Sequence, residues 1–368
     1  DRMEFGTTHA IGAAPDWLML ARDVPAEDAL VALGEILAHL SDDARDRTRY
    51  PFAAGVEDWD EVKFAAAIEV QDEPAALRLM RGGLARLLST DSWRRVLAKI
   101  ALTHYADFGH ALIYAMKSVD LIDALGQDMA EPLLGAYVRS LCYSAREDLL
   151  PEFRTYADEL SRWGKTDNVI GTIAYDHLLR GSAKSAMAMT RGWSSLAGRQ
   201  VIWPVLLEAA AWQLLHADEA RFWSVDQRLS ENANWLDLTH ALTFAEAGLQ
   251  AATLSPELWP AILLQLACFI GRNSAFVDAE CDVAHYLVDD PATFWREARV
   301  GLLDHGRGRF IISAHLTKTL IAAERLGSAQ PTLAPLLASA LNRFLKAPVK
   351  ERHIRRTARQ MLDLVAQE

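Results

Sequence analysis

The stretch FGHALIYAMKSVD, residues 108–120, shows the pattern that decides the fold class. Its apolar residues recur at spacings of three and four, which is the period of one face of an α-helix. The same period runs through most of the 368 residues, whereas the alternation typical of β-strands is nearly absent. Alanine and leucine, both good helix formers, dominate the periodic segments. The sequence therefore predicts an all-α protein.

Residues that begin and end helices interrupt this pattern at short intervals. Start signals stand at Pro25, Ser89, Ser255 and Asp290, and stop signals at Gly126, Gly164, Gly327 and Pro348. The predicted helical segments are 26–40, 59–70, 73–88, 91–105, 108–124, 128–146, 151–163, 183–192, 200–216, 218–228, 236–252, 256–271, 275–288, 292–302, 308–326, 330–346 and 349–366.

Short connections make sequential helices antiparallel neighbours. We therefore expect an irregular multi-helix domain of antiparallel helix pairs, similar to an α-α superhelix. No fixed-period repeat is visible, and a single large domain over residues 1–368 is predicted. The most broken stretch, 181–199, is the candidate for an internal boundary.

The amino-acid composition argues against several classes of protein. The net charge of -11 argues against a nucleic-acid partner, because such proteins carry a positive field. Three sparse cysteines do not form a disulfide framework, and no apolar run reaches the roughly 20 residues of a membrane span. No secretory signal is visible, so we expect a soluble, cytoplasmic protein. The start at Asp1, with Met3 inside, suggests a fragment of a longer chain.

A polar stripe crosses the otherwise apolar helix predicted at 108–124. His110, Tyr114, Lys117 and Asp120 stand at i, i+4, i+7 and i+10, so they share one face. Histidine, tyrosine and lysine together can bind a polar or anionic ligand and move protons. The alternative is an ordinary solvated face.

Three further histidines lie in or beside apolar helices. His240 sits in a mostly apolar segment with Thr243 one turn on, and His305 opens a glycine-rich basic turn. His315 shares its face with apolar residues and is expected to point inward. A lone inward histidine is more often a satisfied core residue than a ligand. Several in one domain favour convergence, so at least three of His110, His240, His305 and His315 are predicted to share one pocket.

Metal binding is the less favoured role for these histidines. Aspartate stands three residues before histidine at Asp107/His110, Asp237/His240 and Asp282/His285. Helical di-iron proteins use Glu-x-x-His pairs with further glutamates, which are missing here. The Lys117 ammonium on the His110 stripe would also repel a cation. We therefore expect a site without metal, with the histidines acting as proton relays or hydrogen-bond donors, and with an unidentified cofactor if any.

The absence of several motifs excludes common enzyme classes. The chain has no dinucleotide-binding glycine fingerprint, no phosphate-binding loop and no His-Glu-x-x-His zinc motif. It also lacks a nucleophile elbow and any cysteine cluster for an iron–sulfur centre. A self-sufficient flavin or nicotinamide dehydrogenase of the usual kind is therefore not expected.

Three segments together resemble the questin-oxidase-like family. They are FGHALIY at 108–114, LTHALTFA at 238–245, and the stretch from His305 through His315 to Thr319. The resemblance implies an all-helical oxidoreductase that acts on aromatic polyketides through a Baeyer–Villiger-type ring opening. Similar helical regions occur beside Rieske-type domains, which implies a possible partner redox domain outside this fragment.

Two functions from different classes remain open. The first is an oxidoreductase or monooxygenase-like protein with a histidine-lined pocket for an apolar or aromatic small molecule. His110, His240, His305 and His315 would be its acid–base groups, and Tyr114 and Lys117 would orient the substrate. The second is a non-catalytic helical module that docks a partner protein or redox domain. Small-molecule binding without turnover is a further alternative.

Overall fold

The computed structural model describes residues 2–103, 107–144, 146, 149–165, 172–223, 235–347, 362, 365 and 366. In these ranges the α-helices are α1 His9–Arg22, α2 Ala26–Ala44, α3 Glu61–Glu69, α4 Glu73–Ala85, α5 Thr90–Ala101, α6 His110–Leu125, α7 Ala130–Tyr143, α8 Tyr156–Ser161, α9 Ala183–Trp193, α10 Arg199–Leu215, α11 Glu219–Trp223, α12 Trp235–Leu254, α13 Trp259–Asn273, α14 Pro291–Leu302, α15 Phe310–Ala329 and α16 Ala334–Leu345. No strand occurs within them, and one isolated bridge joins Ala217 to Val277. The all-α prediction is confirmed.

Local signals place most helix ends within a few residues of their predicted positions. The Ser89 hydroxyl accepts a hydrogen bond from the Ser92 amide and caps α5, as the sequence predicts. Asp60 and Asp72 cap α3 and α4 in the same way. Gly126 ends α6 with a φ of 104°, a conformation that glycine adopts without strain.

Three predictions of local structure are wrong. Helix α1 was not predicted, although residues 9–22 are helical with Pro15 inside. The segment 275–288 has only short 3-10 turns, because Asp278 and Asp282 side chains bind backbone amides two residues ahead. Gly327 lies inside α15 and does not end it. Pro348 and most of the predicted helix 349–366 lie outside the described residues.

The chain forms two compact units, and each comprises three segments of sequence. The first contains residues 1–157, 243–262 and 296–322, and the second contains 158–242, 263–295 and 323–368. No boundary between the units falls in 181–199, because α9 occupies most of that stretch. Whether the chain acts as a single domain stays a prediction.

Helix α6 is the centre of the first unit. It packs against α1, α5 and α7, and every residue from His110 to Val119 is buried. The Tyr137 hydroxyl of α7 donates a hydrogen bond to the Ala111 carbonyl at 2.7 Å. Helices α3 and α4 pack on α7 in turn.

The second unit is built on α10 and α16, which pack against each other. The buried Arg343 guanidinium of α16 donates to the carbonyls of Leu215 and Ala217, where α10 ends. The Gln213 amide donates to the Ile270 carbonyl of α13 at 2.8 Å. Polar side chains therefore satisfy backbone carbonyls at the helix ends in this unit.

Two negative expectations concern membranes and disulfides. Within the described part of the chain, no helix has both the length and the apolarity that a bilayer crossing requires. Cys142 and Cys268 are buried, as predicted. Burial raises the pKa of the Cys142 thiol to about 12.

We expect Gly82→Ala to destabilise the protein, although alanine is normally the better helix former. A Cβ atom at Gly82 in α4 would lie 1.9 Å from the Glu57 carbonyl oxygen, so the backbone would have to move. Overpacking of this kind costs about 1–3 kcal/mol. Thermal unfolding followed by circular dichroism should show a lower Tm.

The matched control is Gly34→Ala in α2, where a Cβ atom meets nothing within 4 Å. This change should raise the Tm, because glycine in an open helix position costs about 0.5–1 kcal/mol relative to alanine. Equal effects of the two substitutions would contradict the close approach at Gly82.

Candidate functional site

Three histidines from three helices meet in the first unit. His9 begins α1, His110 begins α6, and His315 lies in α15. The His9 ring centroid is 5.1 Å from that of His110 and 4.8 Å from that of His315. One nitrogen from each ring lies within 4.8 Å of the other two, and His110 and His315 are buried. We call His9, His110 and His315 the histidine triad.

The backbone before α6 turns sharply to deliver His110. Phe108 has a φ of 55° and Gly109 a φ of 80°, so two successive residues adopt the left-handed conformation. This conformation is uncommon for a bulky residue such as phenylalanine and is unfavourable in isolation. Helix α6 begins directly after this turn, with His110 as its first residue.

Helices α1 and α6 run in the same direction and in register. His9 faces His110, and seven residues further along each helix the Asp16 carboxylate binds the Lys117 ammonium at 2.7 Å. Seven residues are close to two helical turns, so both pairs lie on one face of each helix. Short connections make sequential helices antiparallel, but α1 and α6 are not sequential, so they can run parallel.

Gly12 lies between His9 and Asp16 on α1 and allows α1 and α6 to approach each other closely. A Cβ atom at Gly12 would lie 2.4 Å from Cε1 of Tyr114, so the Tyr114 ring occupies the space of the missing side chain. The ring centroid of Tyr114 is 5.0 Å from that of His110. The Lys318 Nζ atom lies 5.7 Å from the centroid of the same ring, at cation–π distance.

Lys117 is the centre of a buried ionic network. Its ammonium lies 2.7 Å from Asp16 and 3.6 Å from Glu246, which α12 contributes. The Gln250 amide donates to Glu246 at 3.0 Å and to Asp120 at 3.4 Å. Asp120 also accepts a hydrogen bond from Arg94 of α5. The network therefore joins α1, α5, α6 and α12, and the solvated-face interpretation does not hold for Lys117.

Hydrogen bonding fixes the tautomer of His315. Its Nδ1 atom lies 2.7 Å from the Ile311 carbonyl oxygen. A carbonyl only accepts, so Nδ1 carries the proton and donates it. In the neutral form of a ring held in this way, Nε2 is the nitrogen without a proton. A metal-ligating histidine commonly has this arrangement, in which a backbone carbonyl holds the other ring nitrogen.

The triad has the composition of a transition-metal site. Imidazole nitrogen suits zinc, copper, iron and nickel, and these ions bind histidine at about 2.0–2.1 Å. Ligand atoms placed tetrahedrally around an ion at that bond length are about 3.4 Å apart. Small rotations of the three rings would bring their nitrogen atoms, now within 4.8 Å of one another, to this separation. Two buried lysines, Lys117 and Lys318, and two buried carboxylates, Asp16 and Glu246, accompany it in the first unit. Their formal charges cancel.

His305 belongs to a different set of contacts. Its Nδ1 atom accepts a hydrogen bond from the Arg307 amide at 3.0 Å, and its Nε2 atom lies 3.4 Å from the Glu35 carboxylate. The Ser313 hydroxyl also donates to Glu35. Burial alone would raise the pKa of Glu35, but the bonds from His305 and Ser313 outweigh it and lower the pKa. Both ring nitrogens of His305 are thus engaged outside the triad.

The predicted convergence is therefore found for two residues. His110 and His315 meet, and their third partner is His9, which was not among the predicted site residues. His240 is buried in the part of α12 that belongs to the second unit, so its predicted place in the same pocket stays a prediction. The side chain of Asp107 lies outside the described residues.

A large apolar cavity of the first unit lies on the other side of α1. Its volume is about 590 Å³, and α1 contributes Ile11, Ala14 and Leu18 to its wall. The remaining lining residues come from the N-terminal segment, α2, Phe52, α6, Met129 and α7. Among the described residues that line it, none is a predicted site residue. The cavity and the triad thus use opposite faces of α1.

Sequence reasoning missed His9, Asp16 and Glu246. A signal for the first two was present, because His9 and Asp16 repeat the seven-residue spacing of His110 and Lys117. Pro15 hid it by making residues 9–22 resemble a loop. For Glu246 no local signal existed, since only the tertiary structure brings it to Lys117.

Comparisons with known proteins add no relative. No family model, no curated protein and no solved structure matches this chain.

We expect Lys117→Met to destabilise the first unit by about 3–5 kcal/mol, because it leaves the Asp16 and Glu246 carboxylates buried without their counter-ion. The lost stability would appear as a lower midpoint in urea unfolding followed by circular dichroism. Lys99→Met is the matched control. The Lys99 side chain is 71% exposed and pairs with Glu61 at the surface, so its loss should cost no more than about 1 kcal/mol.

A second expectation concerns pH and His39, which stacks on Phe310. Burial lowers the pKa of His39, so near its ordinary pKa the unfolded chain binds more protons than the folded one. The associated stability is full above the ordinary pKa of about 6.5 and is lost as the pH falls below it. The Tm should therefore drop between about pH 7.5 and pH 5.5.

The decrease in Tm at low pH should be smaller in His39→Phe, because this variant keeps the aromatic stacking and removes the titrating group. His177→Phe is the control, because His177 is exposed. A wild-type pH slope in the His39 variant would rule out this origin.

Proposed function

We propose that this chain is a metal-dependent oxidoreductase in which the histidine triad binds one divalent transition-metal ion. The observation that carries the proposal is the approach of three imidazole nitrogens to within 4.8 Å of one another. The three rings come from three separate helices, and two of them, those of His110 and His315, are buried. Core histidines satisfied by backbone would not need to converge in this way.

The donor set favours a catalytic over a purely structural metal. Structural zinc sites use four protein ligands, whereas catalytic sites keep a position open for water or substrate. The triad supplies three neutral nitrogen ligands. An ion held there would therefore keep its full charge and at least one exchangeable position, which is what activation of a small molecule requires.

The chemistry at that position is proposed to be oxidation. The three segments that resemble the questin-oxidase-like family imply an oxidoreductase that acts on an apolar or aromatic substrate. Zinc has no redox chemistry, so iron or copper fits this proposal better. A partner redox domain as the electron donor is a further proposal that rests on the resemblance alone.

The network around Lys117 removes the main argument against a metal. The sequence suggested that the Lys117 ammonium would repel a cation near His110. In the structure this ammonium binds the carboxylates of Asp16 and Glu246, so its charge is neutralised locally. We assign Lys117 to the positioning of α1 on α6. Tyr114 remains the candidate for contact with substrate, because its ring lies beside His110.

The other predicted roles are adjusted accordingly. We assign His305 to the Glu35 network, while a catalytic role for His240 is supported by the sequence alone. The low cysteine count supports a cytoplasmic location, and the net charge of -11 supports the absence of a nucleic-acid partner. Among the described residues, no specific contact favours the alternative of a docking module, which stays a prediction.

Purified protein reconstituted anaerobically with ferrous iron should hold about one equivalent of metal per chain after desalting. Metal content by mass spectrometry should fall below a tenth of this value in His110→Ala and His315→Ala, because two ligands cannot hold the ion tightly. Exposure of the ferrous protein to nitric oxide should give the electron paramagnetic resonance signal of an iron–nitrosyl centre. His177→Ala is the matched control and should bind metal like the wild type.

Oxygen uptake by the ferrous protein with aromatic test substrates then tests the proposed oxidation independently of metal binding. Circular dichroism of each variant checks that the helices persist. Wild-type metal content in both triad variants, or no binding of iron, copper or zinc to the wild type, would refute the proposed site.

A further inference from the structure

The second feature that points to a ligand is the apolar cavity beside α1. Its volume of about 590 Å³ falls within the roughly 300–1,000 Å³ typical of small-molecule pockets. Its walls are formed almost wholly by aliphatic and aromatic side chains, and the one charged residue that lines it is Arg2. Leu37 and Leu125 line the cavity and are 67% and 49% exposed, so an apolar rim leads into it.

The packing of the helices explains why this space exists. Helix α2 packs mainly against α1, and α6 and α7 pack against each other. Helix α1 packs against both α2 and α6, and the cavity lies among these helices and α7. The N-terminal segment closes one end, since a Cβ atom at Gly6 would lie 2.3 Å from the Ala136 carbonyl oxygen of α7.

A smaller cavity, whose lining includes charged and hydroxyl side chains, adjoins this end. Its volume is about 180 Å³, and it shares Arg2, Met3 and Gly6 with the apolar cavity. Arg47 lines it as well, and neither of the two exposed guanidinium groups has an ion-pair or hydrogen-bond partner among the described residues. Two carboxylates also line it. Glu4 is exposed, and Asp43 lies 3.6 Å from His39.

Two hydroxyl groups complete the polar end. Thr7 and Thr8 line the smaller cavity, and their side-chain oxygens are buried with no hydrogen-bond partner in the described part of the protein. Buried hydroxyls are normally satisfied, so their donors are available to an acceptor that enters the cavity. A carboxylate accepts several hydrogen bonds and pairs with guanidinium groups in a bidentate manner.

We propose that the two cavities together bind one amphipathic carboxylate, with its hydrocarbon body in the apolar cavity and its carboxylate at Arg2, Arg47, Thr7 and Thr8. The occupant is a single molecule of an alkyl or alkyl-aryl carboxylic acid. This site is separate from the histidine triad and does not require the metal ion.

Isothermal titration of the full chain with dodecanoate tests the proposal, with octanoate, dodecanol and dodecylammonium as matched probes. Dodecanoate should bind at one site and at least tenfold tighter than octanoate, because each buried methylene group raises the affinity about fourfold. Dodecylammonium should bind at least tenfold more weakly than dodecanoate, because its charge has the wrong sign for the arginines.

Variants separate the two ends of the site. Arg2→Gln/Arg47→Gln should weaken dodecanoate about tenfold and leave dodecanol unchanged. Arg45→Gln is the control, because Arg45 is exposed and pairs with Asp42. Leu37→Glu, at an exposed position on the rim, should weaken both probes. None of these changes should alter the metal content, so failure here is distinct from failure of the metal site.

Three results would overturn the proposal. The first is equal affinity for the anionic and cationic probes, and the second is unchanged dodecanoate binding in Leu37→Glu. The third is a dimer in sedimentation velocity that Leu37→Glu dissociates, with no dodecanoate bound by either form. That last result would assign the apolar rim to a second copy of the chain.

Discussion

The buried ammonium of Lys117 constrains the first unit more than any other single group. An isolated charge in a protein interior costs several kcal/mol, so the fold must supply counter-charges with good geometry. Asp16 and Glu246 supply them from α1 and α12, and Asp120 joins through Gln250. Ridge-and-groove packing of aliphatic side chains would allow α1 to slide along α6. A hydrogen-bonded ion pair holds one register, and a slip of one residue would break it.

That register accounts for the histidine triad. Once Asp16 meets Lys117, residues seven positions earlier on two parallel helices must also meet, and these are His9 and His110. Gly12 allows the helices to approach closely enough for the rings to touch, because Tyr114 fills the space where a side chain would stand. Helix α15 then needs to contribute only His315. The Lys117 ammonium pairs with the Asp16 and Glu246 carboxylates, so the ionic network positions the rings without leaving this positive charge uncompensated.

The sequence reveals elements whose signal is local and conceals what depends on tertiary contact. The all-α class, the cap at Ser89 and the buried role of Cys142 follow from periodicity, propensity and composition. The His110 stripe was found because its spacing lies within one helix. His9 was missed because Pro15 masks α1, and a proline inside a helix removes only one amide bond when the rest of the helix is packed. His305 was grouped with His110 on its residue type, but its partner Glu35 is far away in sequence.

Helix α1 is held by different forces on its two faces, and this difference explains how the apolar cavity is tolerated. Incomplete apolar packing costs stability in proportion to the unfilled volume, and a helix that depended on apolar packing alone would move to close the gap. Charge and hydrogen bonding fix α1 to α6 through Asp16, so Ile11, Ala14 and Leu18 on the opposite face need not make a complete core. The apolar rim at Leu37 and Leu125 also keeps the space open to ligands or solvent. An ionic contact on one side of a helix thus leaves room for an apolar ligand on the other.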